Sequence, residues 1–170
     1  MTEEQMGGAG MQERVAYAKV APGTIVAMRA LDQYVTQSGL EPALVDLVKI
    51  RASQLNGCAY CVDMHTKDAR TRGEGEQRLY ALPVWHETPF FTDRERAALT
   101  WTEAITLLPG HRVTDELYQG ARQHFSEKEL VDLTMAIIAI NGWNRLSVAF
   151  RTVPGTYRLA SHREPATVVT

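Results

Sequence analysis

Residues 47–65 read Leu47-Val48-Lys49-Ile50-Arg51-Ala52-Ser53-Gln54-Leu55-Asn56-Gly57-Cys58-Ala59-Tyr60-Cys61-Val62-Asp63-Met64-His65. The stretch has the pattern of a helix, a stop and a second helix. Leu44, Leu47, Val48, Arg51 and Leu55 recur at helical spacing, and Asn56-Gly57 is a stop signal. A further helix can begin at Cys58 and run to about Arg72, ahead of Gly73 and Gly75. On that helix Cys58 and Cys61 are i and i+3, and His65 is i+4 from Cys61, so all three share one face. Cys58 then stands at a helix N-terminus, where free N–H groups and the macrodipole favour an anion. The thiolate is the reactive form of cysteine. His65 is one turn on and within reach of the Cys61 proton, directly or through a water. A low-pKa thiol with a resolving cysteine beside it is what peroxide reduction needs.

Other assignments of the same residues stay open at this point. Two cysteines on a helix can be small core residues. Cys58, Cys61 and His65 could be three zinc ligands, with Asp46 or Asp63 completing a four-ligand site. A thioredoxin motif follows a β-strand, whereas this CxxC follows a helix. The thiols could also serve disulfide exchange or electron transfer rather than peroxide, or a non-enzymatic redox-sensing or metal-binding role.

Outward from this stretch the chain reads as helical throughout. Pro22-Gly23 starts a helix that Gly39 ends, and Pro42 suits the first turn of the next. Gln77 to Trp85 is expected as a short helix. Thr92 with Glu95, and Ser126 with Glu129, are capping boxes that open two more, and Thr114 caps a helix to about Phe125. Pro109-Gly110 is a stop. The expectation is an all-α bundle of about six to seven helices over residues 13–160, with flexible tails at 1–12 and 161–170. Leu44-Val45-Asp46-Leu47 before Asn56-Gly57 is echoed by Leu130-Val131-Asp132-Leu133 before Asn141-Gly142. The echo suggests two helix–NG–helix units, of which only the first carries cysteines. His86, His111, His124 and His162 are expected near helix ends or in loops. Trp85, Trp101 and Trp143 are expected in the core or at a subunit interface. Val62, Leu82, Trp85, Phe90 and Phe91 suit either a substrate pocket or subunit contacts.

Composition bounds the function. The 170 residues are 45% hydrophobic and 22% charged, which excludes disorder and a fibrous protein. With a net charge of -2 and no basic stripe, nucleic acid is a poor partner. No apolar run approaches the roughly 20 residues that span a bilayer, and Met1 to Arg14, polar and Gly-containing, are not expected to act as a secretion signal. A cytoplasmic location is expected, where a permanent structural disulfide would be unusual.

At residues 47–65 the chain resembles the AhpD-like alkylhydroperoxidase branch of the carboxymuconolactone decarboxylase family. The likeness extends, less specifically, through Phe91–Leu99 and Asn141–Leu146. The resemblance implies an all-α, AhpD-like fold assembling as a homotrimer or homohexamer. It implies hydroperoxide reduction with no bound cofactor, recharged by an external dithiol or a lipoyl-type reductant. By that analogy Cys61 attacks the peroxide, Cys58 resolves the sulfenic acid, and His65 belongs to a proton relay with an acid on the preceding helix, here Asp46. Better-studied members carry glutamate at that position, one methylene longer. They can also carry histidine between the cysteines, where this chain has Tyr60, a poor base at neutral pH with an ordinary pKa near 10. The decarboxylase activity that names the wider family is not implied, because its members proper lack the cysteine pair.

Overall fold

The two helices read from residues 47–65 are both present, and the first is the hub of the molecule. The computed structural model describes residues 11–109 and 112–159; the C-terminal tail, all but the end of the N-terminal tail, Gly110, His111 and His162 lie outside the described residues. In chain order the helices are α1 (Tyr17–Val20), α2 (Pro22–Gln37), α3 (Pro42–Leu55), α4 (Ala59–Thr71), α5 (Glu76–Ala81), α6 (Asp93–Thr106), α7 (Asp115–Arg122) and α8 (Glu127–Phe150). A 3-10 turn, Leu82–Glu87, joins α5 to α6. Among the described residues there is no strand, and the all-α expectation holds.

Local chemistry accounts for most boundaries. Both capping boxes form, at Thr92/Glu95 and Ser126/Glu129. Thr114 accepts the Leu117 N–H as the α7 cap. Gly57 adopts a φ of +64°, which side chains disfavour, and so turns the chain between α3 and α4.

Three expectations need correction. The helix expected over Gln77–Trp85 is split, because Pro83 lacks the N–H that would continue it and its ring crowds the preceding turn, so the chain tightens into the 3-10 turn. The single turn α1 adds to the expected helices; it buries no residue and so leaves no apolar stripe to read. The second helix–NG–helix unit does not exist as such, since α8 runs unbroken through Asn141-Gly142. Asn141 is buried and satisfied there: its amide donates to Ile137 O and Thr106 Oγ1, and its Oδ1 accepts from Asn56.

The core is built around α3, which is buried over most of its length from Leu44 to Ser53. Val45 and Val48 pack toward α6 and α8 with Trp101, Leu133 and Ile137. Leu47 and Ile50 pack on Leu79, Leu82, Trp85 and Phe91. Ala52, near the end of α3, meets Cys58, Cys61 and Ile140. No helix of the described residues is long and apolar enough to cross a membrane.

Candidate active site

Cys58 is the N-cap of α4, and its Sγ accepts the Cys61 N–H at 3.3 Å. The two cysteines, each 1% exposed, are joined in a disulfide with Cα atoms 5.3 Å apart. The turn that presents them is pinned from behind. Cys58 N–H donates to Ser53 O at 2.9 Å. The Asn56 amide donates to Asn141 and Asn144, both at 2.9 Å, and Asn144 donates to Ser53 Oγ at 3.0 Å. These amides lock the end of α3 to α8 and set the height of the CxxC turn.

Each cysteine lines one of two hollows. A cavity of about 290 Å³ is lined by Cys61 and His65 together with Tyr60, Met64, Trp143 and charged side chains from α2 and α3. A smaller hollow of about 170 Å³ reaches Cys58 from the side of Gly57, Val148, Arg151 and Thr152. A larger one, of about 370 Å³ between α6 and α7, holds no thiol.

His65 is 6% exposed. Its Nδ1 lies 3.7 Å from Asp68 Oδ2, while its Nε2 is buried without a hydrogen-bond partner. Burial pushes the imidazole below its ordinary pKa, with Lys49 adding to the shift and Asp68 opposing it. A neutral ring with Nδ1–H toward Asp68 leaves Nε2 free to accept a proton. Asp68 is itself held, by the Tyr157 hydroxyl at 2.7 Å. Burial works to raise the Asp68 carboxyl, but the bonds with His65 and Tyr157 win and it sits below the usual carboxylate value. The same bond pushes the Tyr157 phenol up to about 12.

Asp46, the acid expected in the relay, is near enough for its charge to favour protonation of His65, and it is also held in an ion pair. Both of its oxygens are taken by Arg72, at 2.7 Å from Nε and 2.6 Å from the terminal nitrogen. The carboxylate opposite His65 is Asp68, from the same helix. The i,i+3 spacing of His65 and Asp68 could have revealed it. Asp63, the other acid weighed for a zinc site, is bonded to Lys67 and the Gly155 N–H. Tyr60 lines the cavity, and burial raises its phenol pKa, so it keeps its proton and can donate but not act as a base. Of the apolar candidates, Leu82, Trp85 and Phe91 are core residues, while Phe90 is exposed and Val62 half-buried. His86 is exposed beside Glu103, and His124 lines the α6–α7 hollow. Trp101 is core, and Trp143 lines the cavity and donates to Asp32 at 2.8 Å. Nothing in the sequence points to Asn56, Asn144 or Tyr157, whose partners are remote in the chain.

With this geometry in view, the likeness to known proteins is informative. The sequence profile of the carboxymuconolactone decarboxylase family matches residues 22–104. The uncharacterised protein YdfG of Bacillus subtilis (strain 168) is 48% identical over 139 residues, 82% of this chain and 95% of YdfG. The crystal structure of ATU0492 from Agrobacterium tumefaciens, a protein of unknown function provisionally named an antioxidant defence protein AhpD, superposes with a TM-score of 0.83. It is 44% identical, over 86% of this chain and all of that one. A peroxidase-related protein with an AhpD core from Ralstonia eutropha JMP134 shares the fold at a TM-score of 0.73 and 18% identity, over 82% of this chain and 74% of that one.

Proposed function

The chain belongs to the carboxymuconolactone decarboxylase family, and from that premise we propose that it is a thiol-dependent peroxidase working through the Cys58–Cys61 pair. The observation that carries this is the shared cavity: Cys61 lines it together with a buried histidine whose Nε2 has no hydrogen-bond partner. In the reduced protein Cys61 passes its proton to His65 Nε2. The thiolate attacks the distal peroxide oxygen, the O–O bond breaks, and the alkoxide leaves with the proton held on His65. Cys61 is then a sulfenic acid. Cys58 attacks its sulfur, water departs and the disulfide closes. An external dithiol, including one of lipoyl type, restores both thiols by exchange, so the cycle uses no bound cofactor. Asp68 is a positioning residue that holds the His65 tautomer, and Tyr60 is a proton-keeping donor at the cavity wall.

Assembly into a homotrimer or homohexamer belongs to the same proposal. Val131, Met135 and Ile138 fall on one face of α8, and Val131 and Ile138 are exposed. An apolar face left exposed on a helix is one that a partner subunit would cover.

The test is a thiol count on the reduced protein before and after one equivalent of an organic hydroperoxide. Two thiols falling rapidly to none, and returning with a dithiol, is the expected result. Two thiols that survive the peroxide yet exchange with a disulfide would replace the peroxidase by a disulfide reductase or electron-transfer adaptor.

A further inference from the structure

The Cys61 cavity carries a charge that peroxide chemistry by itself does not require. Two cations line it, Arg29 from α2 and Lys49 from α3, against one carboxylate, Asp32. Asp32 is already engaged on both oxygens: Oδ1 lies 3.7 Å from Lys49 Nζ, and Oδ2 accepts from Trp143 Nε1 at 2.8 Å. Lys49 therefore has its counter-ion. Arg29 is exposed at the edge of the cavity and has no acidic partner among the described residues. His65 is held neutral by burial and Tyr60 keeps its proton, so neither changes this balance. The remaining wall is mostly apolar or aromatic, with Tyr17, Tyr60, Met64 and Trp143 beside the one aliphatic hydroxyl residue, Ser147. An unpaired guanidinium beside such a wall matches an amphipathic anion, because its planar fork fits a carboxylate in bidentate fashion.

We propose that this site takes an anionic organic hydroperoxide, a compact apolar or aromatic body with the O–OH group at one end and a carboxylate at the other. The inference rests on the peroxidase assignment and extends it to the substrate class. Arg29 binds the carboxylate at the mouth, the aromatic wall holds the body, and the peroxide meets Cys61 beside His65 Nε2. The cavity of about 290 Å³ favours a single ring over a long acyl chain, being at the lower end of the roughly 300–1,000 Å³ of small-molecule pockets. The carboxylate passes through the reaction unchanged. The hydroperoxide and two thiols yield the corresponding alcohol, water and the disulfide.

The experiment compares two peroxides of one chemistry, cumene hydroperoxide and its para-carboxylate, on the reduced full-length protein. Thiol consumption gives a kcat/KM for each, and the readout is their ratio in wild type, Arg29→Gln and Arg29→Glu. The wild type is expected to prefer the carboxylated peroxide by about tenfold, the worth of one charge-assisted contact. Arg29→Gln brings the ratio near one, Arg29→Glu inverts it, and raised salt erodes the wild-type preference. A wild-type ratio of one overturns the proposal. So does a ratio that survives both substitutions while the two rates fall together, since Arg29 would then be steadying the Cys61 thiolate and not the substrate. If neither peroxide consumes thiols, the peroxidase assignment fails and the substrate class falls with it.

Discussion

Two stretches of this chain begin alike and are used differently. Leu44-Val45-Asp46-Leu47 runs toward Asn56-Gly57, and Leu130-Val131-Asp132-Leu133 runs toward Asn141-Gly142. Each aspartate is buried and tied to a cation, Asp46 to Arg72 and Asp132 to Lys128 at 2.6 Å, with Tyr34 also donating to Asp132. The Asn-Gly pairs then part company. The first ends a helix and turns the chain into the Cys58–Cys61 pair. The second lies inside a 24-residue helix.

The reason lies in the residues beyond each pair. After Gly57 comes a helix whose outer face is polar (Asp63, Lys67, Arg70), while its inner face, with Cys61 and Ala69, folds back against α3, so the turn gains apolar burial. After Gly142, Asn144 and Ser147 are buried, and continuing the helix keeps them against α3. Glycine in a helix costs about 1 kcal/mol. The hydrogen bonds of Asn144 with Ser53 and Asn56 are worth about 0.5–1.5 kcal/mol each, so tertiary contacts outweigh the local preference for a turn. The two stretches also touch, through Asn56 and Asn141. The second is the wall against which the first, with its cysteines, is set.

The sharpest way to break this contrast is chemical. Cys61→Ser should reduce peroxide-driven turnover to background, read as dithiol oxidation under excess peroxide; a variant that kept full turnover would move the function away from the first stretch altogether.

Next comes the choice of carboxylate within that stretch. Asp68→Asn should slow peroxide attack by about tenfold, part of the 10²–10⁴ typical of general acid–base assistance, and should shift the pH–rate profile. Asp46→Asn should instead lower the urea midpoint, by about 1–3 kcal/mol for a disturbed buried polar pair, and leave the shape of the profile alone. A profile moved by Asp46→Asn and not by Asp68→Asn would restore the relay expected from sequence.

Acid should separate the stretches more gently. His65 belongs only to the first, and burial holds its folded pKa below the ordinary 6.5. The unfolded chain then binds more protons, so the stability contributed by neutral His65 is fully present above about pH 6.5 and is lost as pH falls below it. The limit for one group is about 1.4 kcal/mol per pH unit. Urea midpoints should therefore fall more steeply from pH 6.5 to 5 in wild type than in His65→Gln; parallel curves would remove this histidine from the acid response.

The smallest effects concern the glycines themselves. Gly57→Ala places a side chain at a φ of +64° and should cost about 1–2 kcal/mol. Gly142→Ala gains helix propensity but brings its Cβ to 2.8 Å from Met28 Cε, the movable end of a side chain. The net change should stay within about 1 kcal/mol of wild type. Equal unfolding midpoints for the two variants would erase the difference between turn and helix interior.

Much of the architecture is legible in the sequence because it depends on neighbours along the chain. Apolar periodicity marks the main helices, Thr92/Glu95 and Ser126/Glu129 mark two of their starts, and Asn56-Gly57 alone places Cys58 at a helix N-terminus. These are interactions between residues a few positions apart, and spacing dictates their geometry. Tertiary structure decided which partner each buried polar group took. Asp46 pairs with Arg72 while Asp68 lies beside His65 Nδ1; Asn141, expected to end a helix, instead turns inward to Asn56 and Thr106. Arg29, Asp32 and Lys49 meet at the Cys61 cavity only because α2 and α3 both border it. Such choices depend on how helices far apart in the chain cross and which side chains they bring within about 3 Å, the range over which a hydrogen bond can satisfy a buried group.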